Sequence, residues 1–142
     1  MTQKSIKMKK IVLVTILSIF TFTTNAQEVT KNKNAKVSFE VDGICGMCKK
    51  RIETAALKTK GVKFALWNVQ THQLNLIMDE NKTDVNTVQE NITKVGHDII
   101  LKDKKITASK EAYESVHPCC KYRDEEIVLD HEGGMKKQKK QN

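Results

Sequence analysis

The hydrophobic pattern between residues 36 and 102 switches repeatedly between the period of a strand and the period of a helix. KVSFEVD, residues 36–42, alternates apolar and polar side chains, as a half-buried strand does. A helical pattern that Gly61 ends comes next, and VKFALWNVQ and QLNLIMD then read as two strands of a hairpin. A second helical pattern, residues 85–95, precedes the last strand, DIILK. Few known folds are compatible with six elements in this order.

The order strand, helix, strand, strand, helix, strand predicts an α+β fold, the split βαβ arrangement of a ferredoxin-like sandwich. One four-stranded antiparallel sheet would carry both helices on one face, the first helix covering residues 47–59. The strand alternation then turns four large apolar side chains toward the open face: Phe64, Leu66, Ile77 and Ile100. An apolar face of this kind favours a covering partner.

The chain that follows this domain, residues 103–135, is a candidate for that cover. It has a short helical pattern from Ser109 that stops before Pro118, and then a brief apolar piece, EEIVLD. We predict that this C-terminal extension lies across the open sheet face. The alternative is a dimer that buries the same face, so the expected state is a monomer or a weak dimer.

The first 26 residues read as an export signal and not as part of the fold. Several lysines precede an apolar run, residues 11–20, that is too short to cross a bilayer comfortably, and a small residue, Ala26, follows. A retained membrane anchor is the alternative. We expect an exported protein, located in a bacterial periplasm or secreted, with a mature chain that begins near Gln27 and a linker up to residue 35.

The net positive charge comes from the two ends of the chain. The whole chain carries a formal net charge of +8, but four lysines belong to the signal and four to the tail, residues 136–142. Removing these eight leaves 17 basic and 17 acidic side chains. The chain is therefore a neutral domain with a basic, disordered tail, and we expect no nucleic-acid partner.

Four cysteines form two pairs, Cys45 and Cys48 with two residues between them and the adjacent Cys119 and Cys120. In an exported chain they would ordinarily suggest two disulfides, but a bond between neighbouring residues closes a strained ring, which leaves cross-pairing between the pairs. Thiolates are also soft ligands, and two at C-x-x-C spacing can close on one ion. Such a pair favours Cu(I), Zn(II), Hg(II) or Cd(II) over Mg(II) or Ca(II).

Cys48 falls in the first turn of the predicted first helix. The helix dipole, the free amide groups and the basic residues 49–51 all favour negative charge there, which predicts a lowered thiol pKa. A lowered pKa promotes metal binding and oxidation alike, so the position alone does not separate a metal site from a redox dithiol.

The segment DGICGMCKKRIETAALKTKGV, together with KVGHDI, resembles the heavy-metal-associated domain of copper chaperones, of metal-transporting ATPases and of periplasmic mercury-binding proteins. The resemblance covers residues 36–102. It implies that Cys45 and Cys48 bind a soft ion, Cu(I) foremost, at a solvent-accessible site of low coordination number. It also implies a partner that receives the ion, such as a metal-transporting membrane protein or a metalloprotein acceptor.

Three positions depart from the family's pattern. Ile44 stands where the family usually has Met, and we expect it to pack under the loop. Met47 is either a weak thioether ligand or a solvent-facing or packing side chain. His97 stands where relatives commonly have Tyr, Phe or Lys beside the metal loop. It is either a further ligand that contacts or tunes the ion, or a surface or hydrogen-bonding histidine.

The second cluster, HPCCKY, lies outside the resemblance. Cys119 and Cys120, with or without His117, are candidate extra ligands that would raise the coordination number from two toward the four that zinc prefers. The alternatives are a separate thiol site, a disulfide to Cys45 or Cys48 that regulates access, and thiols that only hold the extension in place. His72 and His131 lie in polar segments, and we expect them to take no part.

These features predict a metal-binding protein, a metallochaperone or scavenger without catalytic turnover. The alternative is a thiol-disulfide oxidoreductase, but Pro118 is the single proline of the chain and lies away from the C-x-x-C pair, whereas thioredoxin-like sites place a cis proline beside theirs. A regulatory module of a membrane metal pump would use the same chemistry. Paired carboxylates, a nucleophile triad and a phosphate loop are all missing from the sequence, so we predict no enzyme.

Overall fold

The structure is a computed structural model that describes residues 30–131. The predicted export signal and the predicted basic tail lie outside the described residues. The strands are β1 Ala35–Val41, β2 Val62–Trp67, β3 Gln73–Met78, β4 Ile99–Leu101 and β5 Lys104–Ile106. The helices are α1 Gly46–Leu57, α2 Val85–Lys94 and α3 Lys110–Glu114, followed by a 3-10 turn, Pro118–Cys120, and a helical stretch at residues 125–131. Between residues 30 and 131, none of the helices has the length and apolar character needed to span a bilayer.

The strands form one antiparallel sheet in the order β2-β3-β1-β4-β5. The first four strands and the first two helices are the predicted βαββαβ arrangement, so the predicted α+β, ferredoxin-like fold class is confirmed. The predicted number of four strands is wrong, because β5 turns back after Leu101 and pairs with β4. Its three residues, Lys-Lys-Ile, lack the alternation that marks a strand in a sequence.

Helices α1 and α2 pack on one face of the sheet and share one core with it. Asp84 caps α2 by accepting a hydrogen bond from the Thr87 N–H at 2.8 Å. The apolar side chains that alternate with the predicted outward residues, in and beside the strands, are buried or half-buried: Ala65, Trp67, Val69, Leu74, Leu76, Met78 and Ile99. The predicted alternation of the strands is therefore correct.

The described part of the C-terminal extension, residues 103–131, does not cover the opposite face of the sheet. Phe64 and Leu66 remain 44% and 48% exposed, so the prediction that the extension lies across this face is wrong. The apolar pattern revealed which side chains face outward, but it carried no information about where residues 103–135 go. Cover of this face by a second copy of the chain stays a prediction.

The extension lies instead against the loop between α2 and β4. Gly96 in this loop has a φ of +91°, and a Cβ there would lie 2.5 Å from the carbonyl oxygen of Ala112 and 2.7 Å from Val116. Only glycine permits both this conformation and this close approach. Arg51 of α1 reaches the same region, donating to the Val95 carbonyl at 2.7 Å and to the Ser115 hydroxyl at 3.2 Å.

An ion pair fixes the far side of the extension. The fully buried carboxylate of Asp98 accepts hydrogen bonds from Arg123 Nη2 at 2.6 Å and Arg123 Nε at 3.1 Å. The Ala108 N–H donates to the same carboxylate at 2.7 Å, and Lys105 Nζ lies 3.1 Å away. The Tyr122 hydroxyl adds a link, because it accepts from the Asp98 N–H and donates to the Gly96 carbonyl. A buried carboxylate needs such partners, so Asp98 ties the extension to the sheet.

We expect Asp98→Asn to lower the free energy of unfolding by about 2–3 kcal/mol, because it breaks a buried ion pair and leaves Arg123 without its counter-charge. Burial raises the pKa of the Asp98 carboxyl, but hydrogen bonds from Arg123 and Ala108 outweigh it and hold the pKa below its usual value. The ion pair therefore stabilises the fold above pH 4 or so, and this contribution is lost as the pH falls further. Urea denaturation of the protein at pH 7 and pH 3 measures both effects.

Asp103→Asn is the matched control, because Asp103 is exposed in the turn between β4 and β5. It should change the stability by less than about 0.5 kcal/mol at either pH. A difference between wild type and Asp98→Asn that stays constant from pH 7 to pH 3 would contradict the role of the ionised carboxylate.

Candidate metal centre

The first two sulfur ligands lie where β1 gives way to α1. Cys45 is the N-cap of the helix, with extended backbone angles, and Cys48 is its third residue. The two Sγ atoms are 3.4 Å apart. Because a helix turns by a little under one full turn over three residues, C-x-x-C spacing places both thiols at the same end of α1.

The C-terminal extension brings a third sulfur to this pair. Cys120, at the end of the 3-10 turn, places its Sγ 3.5 Å from that of Cys45. The Sγ atoms of Cys45, Cys48 and Cys120 all lie within 4.8 Å of one another. We call these atoms the three-sulfur cluster. Cys48 and Cys120 are buried and Cys45 is half-buried, so solvent reaches the cluster at Cys45.

Cys119 and His117 lie beside the cluster without joining it. The Sγ of Cys119 is 3.9 Å from that of Cys120 and 3.2 Å from the Nδ1 of His117. His117 caps the 3-10 turn by accepting from the Cys119 N–H, and His131 Nε2 lies 2.9 Å from the Cys119 carbonyl oxygen. All four cysteines are free thiols in the structure.

His97 is a core residue. Its side chain is fully buried, its Nδ1 lies 2.9 Å from the carbonyl oxygen of Asp42, and its ring stacks on Tyr122 at 5.6 Å. A carbonyl only accepts, so Nδ1 carries the proton and Nε2 is left with a lone pair. This Nε2 finds no hydrogen-bond partner among residues 30–131. The prediction of a surface position is wrong, the hydrogen-bonding alternative is correct, and the structure does not place His97 in the three-sulfur cluster.

The three thiols of the cluster differ in how readily they ionise. Burial raises the pKa of Cys45, but hydrogen bonds from the backbone N–H and the thiol of Cys48 outweigh it and leave the pKa below its usual value. Burial raises the pKa of Cys48 and that of Cys120. The prediction of a lowered pKa is therefore wrong for Cys48, because burial opposes the helix dipole. A bound ion would displace protons from the two buried thiols.

The loop that carries Cys45 packs closely against the core through Gly43 and Ile44. A Cβ on Gly43 would lie 3.0 Å from the Cys48 Cβ and 3.2 Å from the Trp67 ring, so any larger residue here would press on both side chains. Ile44 is buried in the core, as predicted. Met47 is 46% exposed, which fits the solvent-facing alternative.

Sequence reasoning missed the residues that bring Cys120 to the site, namely Asp98, Tyr122 and Arg123. Arg123 is 25 positions from Asp98, and neither periodicity nor spacing connects the two. A buried Asp directly before a strand is a weak signal, because an aspartate there is as often an exposed turn residue.

Residues 25–98 match the family model of the heavy-metal-associated domain. This match confirms the predicted resemblance. Cys119 and Cys120 lie outside the matched residues. The comparison with curated protein sequences finds no match.

Several solved structures are similar to this chain. One is described as the CopZ metallochaperone, with 28% identity, coverage of 46% of this chain and 100% of that chain, and a TM-score of 0.45. Another is the N-terminal domain of a potential copper-translocating P-type ATPase from Bacillus subtilis in the Cu(I)-loaded state, with 24% identity, 54% and 96% coverage and a TM-score of 0.46. A third is oxidised MerP from Ralstonia metallidurans CH34, with 21% identity, 48% and 99% coverage and a TM-score of 0.42.

The buried state of His97 predicts a pH-dependent stability of the metal-free protein. Burial lowers the pKa of His97 to about 4, whereas an unfolded chain binds this proton near pH 6.5. As the pH falls from 6.5 to 4, protonation favours the unfolded state, and the protein should lose about 3 kcal/mol of unfolding free energy through this group. Urea denaturation of the reduced protein at pH 7.5 and at pH 4.5 measures the loss.

His97→Phe should remove this part of the pH dependence, because phenylalanine fills the same space and cannot be protonated. The quantity to compare is the change in unfolding free energy with pH. The absolute stability of the variant also changes, because the Asp42 carbonyl loses the donor that His97 provides. An equal loss in wild type and His97→Phe between pH 7.5 and pH 4.5 would show that His97 is not the group responsible.

Proposed function

Because the chain belongs to the heavy-metal-associated domain family, we propose that it is an exported carrier of a soft metal ion, with Cu(I) as the first candidate. Cys45 and Cys48 hold the ion, and a partner protein receives it. The observation that carries this proposal is the pair of thiols 3.4 Å apart at the start of α1, with Cys45 open to solvent.

The chemistry of the site supports a soft ion. Among residues 30–131, the one group of three or more ligand side chains close enough to share an ion contains sulfur atoms alone. Thiolates bind Cu(I), Zn(II), Hg(II) and Cd(II) well, whereas Mg(II) and Ca(II) require oxygen ligands. A set of three sulfurs also favours Cu(I) over Zn(II), because zinc in structural protein sites prefers four ligands.

The position of the site supports transfer. The half-buried Cys45 and the exposed Met47 leave one side of the loop accessible, so a thiolate of an acceptor can approach the ion from there. Transfer then exchanges one metal–sulfur bond for another and needs no oxidant. The acceptor would be a metal-transporting membrane protein or a metalloprotein. Export to the periplasm or the medium rests on the sequence of residues 1–26 alone.

A thiol-disulfide oxidoreductase is the second candidate, and one observation favours it. Hydrogen bonds hold the pKa of the half-exposed Cys45 below its usual value, while burial raises the pKa of its neighbour Cys48. An accessible thiol that ionises readily beside a protonated one is also an arrangement for disulfide exchange. Metal binding is nevertheless the better proposal, because the family match concerns the same loop.

Anaerobic titration of the reduced protein with Cu(I) and with Zn(II), under competition from a chelator, tests the proposal. We expect tight binding of one Cu(I) per chain. The double variant Cys45→Ser, Cys48→Ser should weaken this binding more than about 100-fold, since removing ligands costs more than removing the groups that orient them.

Met47→Leu is the matched control within the same loop, because it preserves the apolar side chain and removes only the thioether. We expect its affinity for Cu(I) to equal that of the wild type. Tight binding that survives the double cysteine change would refute the proposal. Weak metal affinity together with efficient reduction of a disulfide substrate would instead support the oxidoreductase.

A further inference from the structure

Cys120 comes to the proposed metal site from a distant part of the chain. It is 75 positions from Cys45, beyond the residues that match the family, and yet its Sγ lies 3.5 Å from that of Cys45. The side chain is 2% exposed. The loop therefore meets a third sulfur that the matched part of the chain does not contain.

We propose that Cys120 is a third ligand of the same ion, so that the C-terminal extension converts a two-thiolate site into a three-thiolate site. This inference rests on the proposed function. It adds a third ligand, Cys120, and a reason for slow loss of the ion, since the extension that carries Cys120 must move before the ion can leave. The ion most suited to the site is one that accepts three soft ligands in a plane or a shallow pyramid, as Cu(I) and Hg(II) do.

The spacing of the sulfurs supports three ligands. Metal–sulfur bonds of about 2.3 Å place three sulfurs about 4 Å apart around an ion at their centre, and two sulfurs on opposite sides of an ion about 4.6 Å apart. The observed separations from Cys45 are 3.4 Å to Cys48 and 3.5 Å to Cys120. The trigonal arrangement therefore requires the smaller movement of the loop.

The extension holds Cys120 from both sides. We call residues 108–123 the strap. Before Cys120, the buried Val116 packs against Gly96, and after it Tyr122 bonds to the Gly96 carbonyl. Arg123 then pairs with Asp98. These contacts order the sulfur in advance, so binding the ion costs little additional conformational entropy.

A role for Cys120 as an ordinary core thiol fits the structure less well. Its nearest sulfur, at 3.5 Å, is that of Cys45, and the Sγ of Cys48 also lies within 4.8 Å, whereas a cysteine that only fills space needs no other thiol beside it. The adjacent Cys119 shows the contrast, because it is half-buried, lies outside the three-sulfur cluster and contacts His117.

Binding and release can both be written with their atoms balanced. When Cu(I) binds, three Cu–S bonds form, and each thiol that is protonated beforehand gives its proton to solvent. Release begins when a thiolate of the acceptor forms a new Cu–S bond and the bond to Cys120 breaks. Further acceptor thiolates then replace Cys48 and Cys45 in the same way, the freed thiolates can take up protons from solvent, and the oxidation state of the ion does not change. The strap must move for this exchange, so we expect it to slow the loss of the ion.

X-ray absorption spectroscopy of the reduced protein loaded with one equivalent of Cu(I) counts the sulfurs around the ion. We expect three in wild type and two in Cys120→Ser. The same variant should bind Cu(I) at least about 10-fold more weakly in a chelator competition. It should also transfer Cu(I) to the chelator faster than wild type.

Cys119→Ser is the matched control, because it removes the adjacent thiol of the same turn. It should retain three sulfurs and the affinity of the wild type. If Cys120→Ser does not fold, Cys120→Val preserves an apolar side chain at the buried position and replaces it in every measurement.

The outcomes separate this inference from the proposed function. Two sulfurs in wild type, with an unchanged affinity in Cys120→Ser, would overturn the role of Cys120 and leave the metal carrier intact. An equal loss of sulfur and affinity in Cys119→Ser would also overturn it. Failure of the wild type to bind Cu(I) or Hg(II) at all would overturn the proposed function itself.

Discussion

The buried carboxylate of Asp98 is the interaction on which the arrangement of this protein depends. A carboxylate removed from water must find cations and hydrogen-bond donors, and at Asp98 all of the donating side chains come from the chain beyond β4. The sheet therefore buries an acid that only the C-terminal extension can neutralise. Folding of the domain and docking of the extension are coupled through this one side chain.

The same coupling brings together the two parts of the three-sulfur cluster. Cys45 and Cys48 owe their positions to local structure, since they follow β1 and begin α1. Cys120 owes its position to tertiary contacts that begin with Asp98 and Arg123. The positions of Cys45 and Cys48 therefore depend on a few neighbouring residues, whereas the position of Cys120 depends on contacts between distant parts of the chain.

The sequence was informative wherever a property repeats with a period or lies close along the chain. The alternation of Trp67, Leu74 and Leu76 with outward residues identified the buried face of the sheet, and C-x-x-C before a helical pattern located the paired thiols. β5 escaped prediction because Lys-Lys-Ile is too short and too polar to show alternation. The burial of His97 and the raised pKa of Cys48 escaped it because both depend on neighbours that fold in from elsewhere.

The prediction that the extension lies across the open sheet face is the largest error, because it rested on hydrophobicity alone. The strand alternation correctly predicts that Phe64 and Leu66 face outward, but an apolar surface attracts any apolar segment without specifying one. The actual route follows a directional interaction, the fork of Arg123 on the Asp98 carboxylate. The hydrophobic pattern therefore predicted the apolar sheet face correctly, whereas the hydrogen bonds between Arg123 and Asp98 determine where the extension packs.

Gly96 gives this arrangement an unexpected sensitivity. The backbone of Ala112 and the side chain of Val116 occupy the place where any other residue would carry its first side-chain carbon. One methyl group at residue 96 would push the extension outward and carry the Cys120 sulfur away from the other two. The number of sulfurs gathered at the start of α1 thus depends on the absence of a side chain at Gly96, outside the three-sulfur cluster.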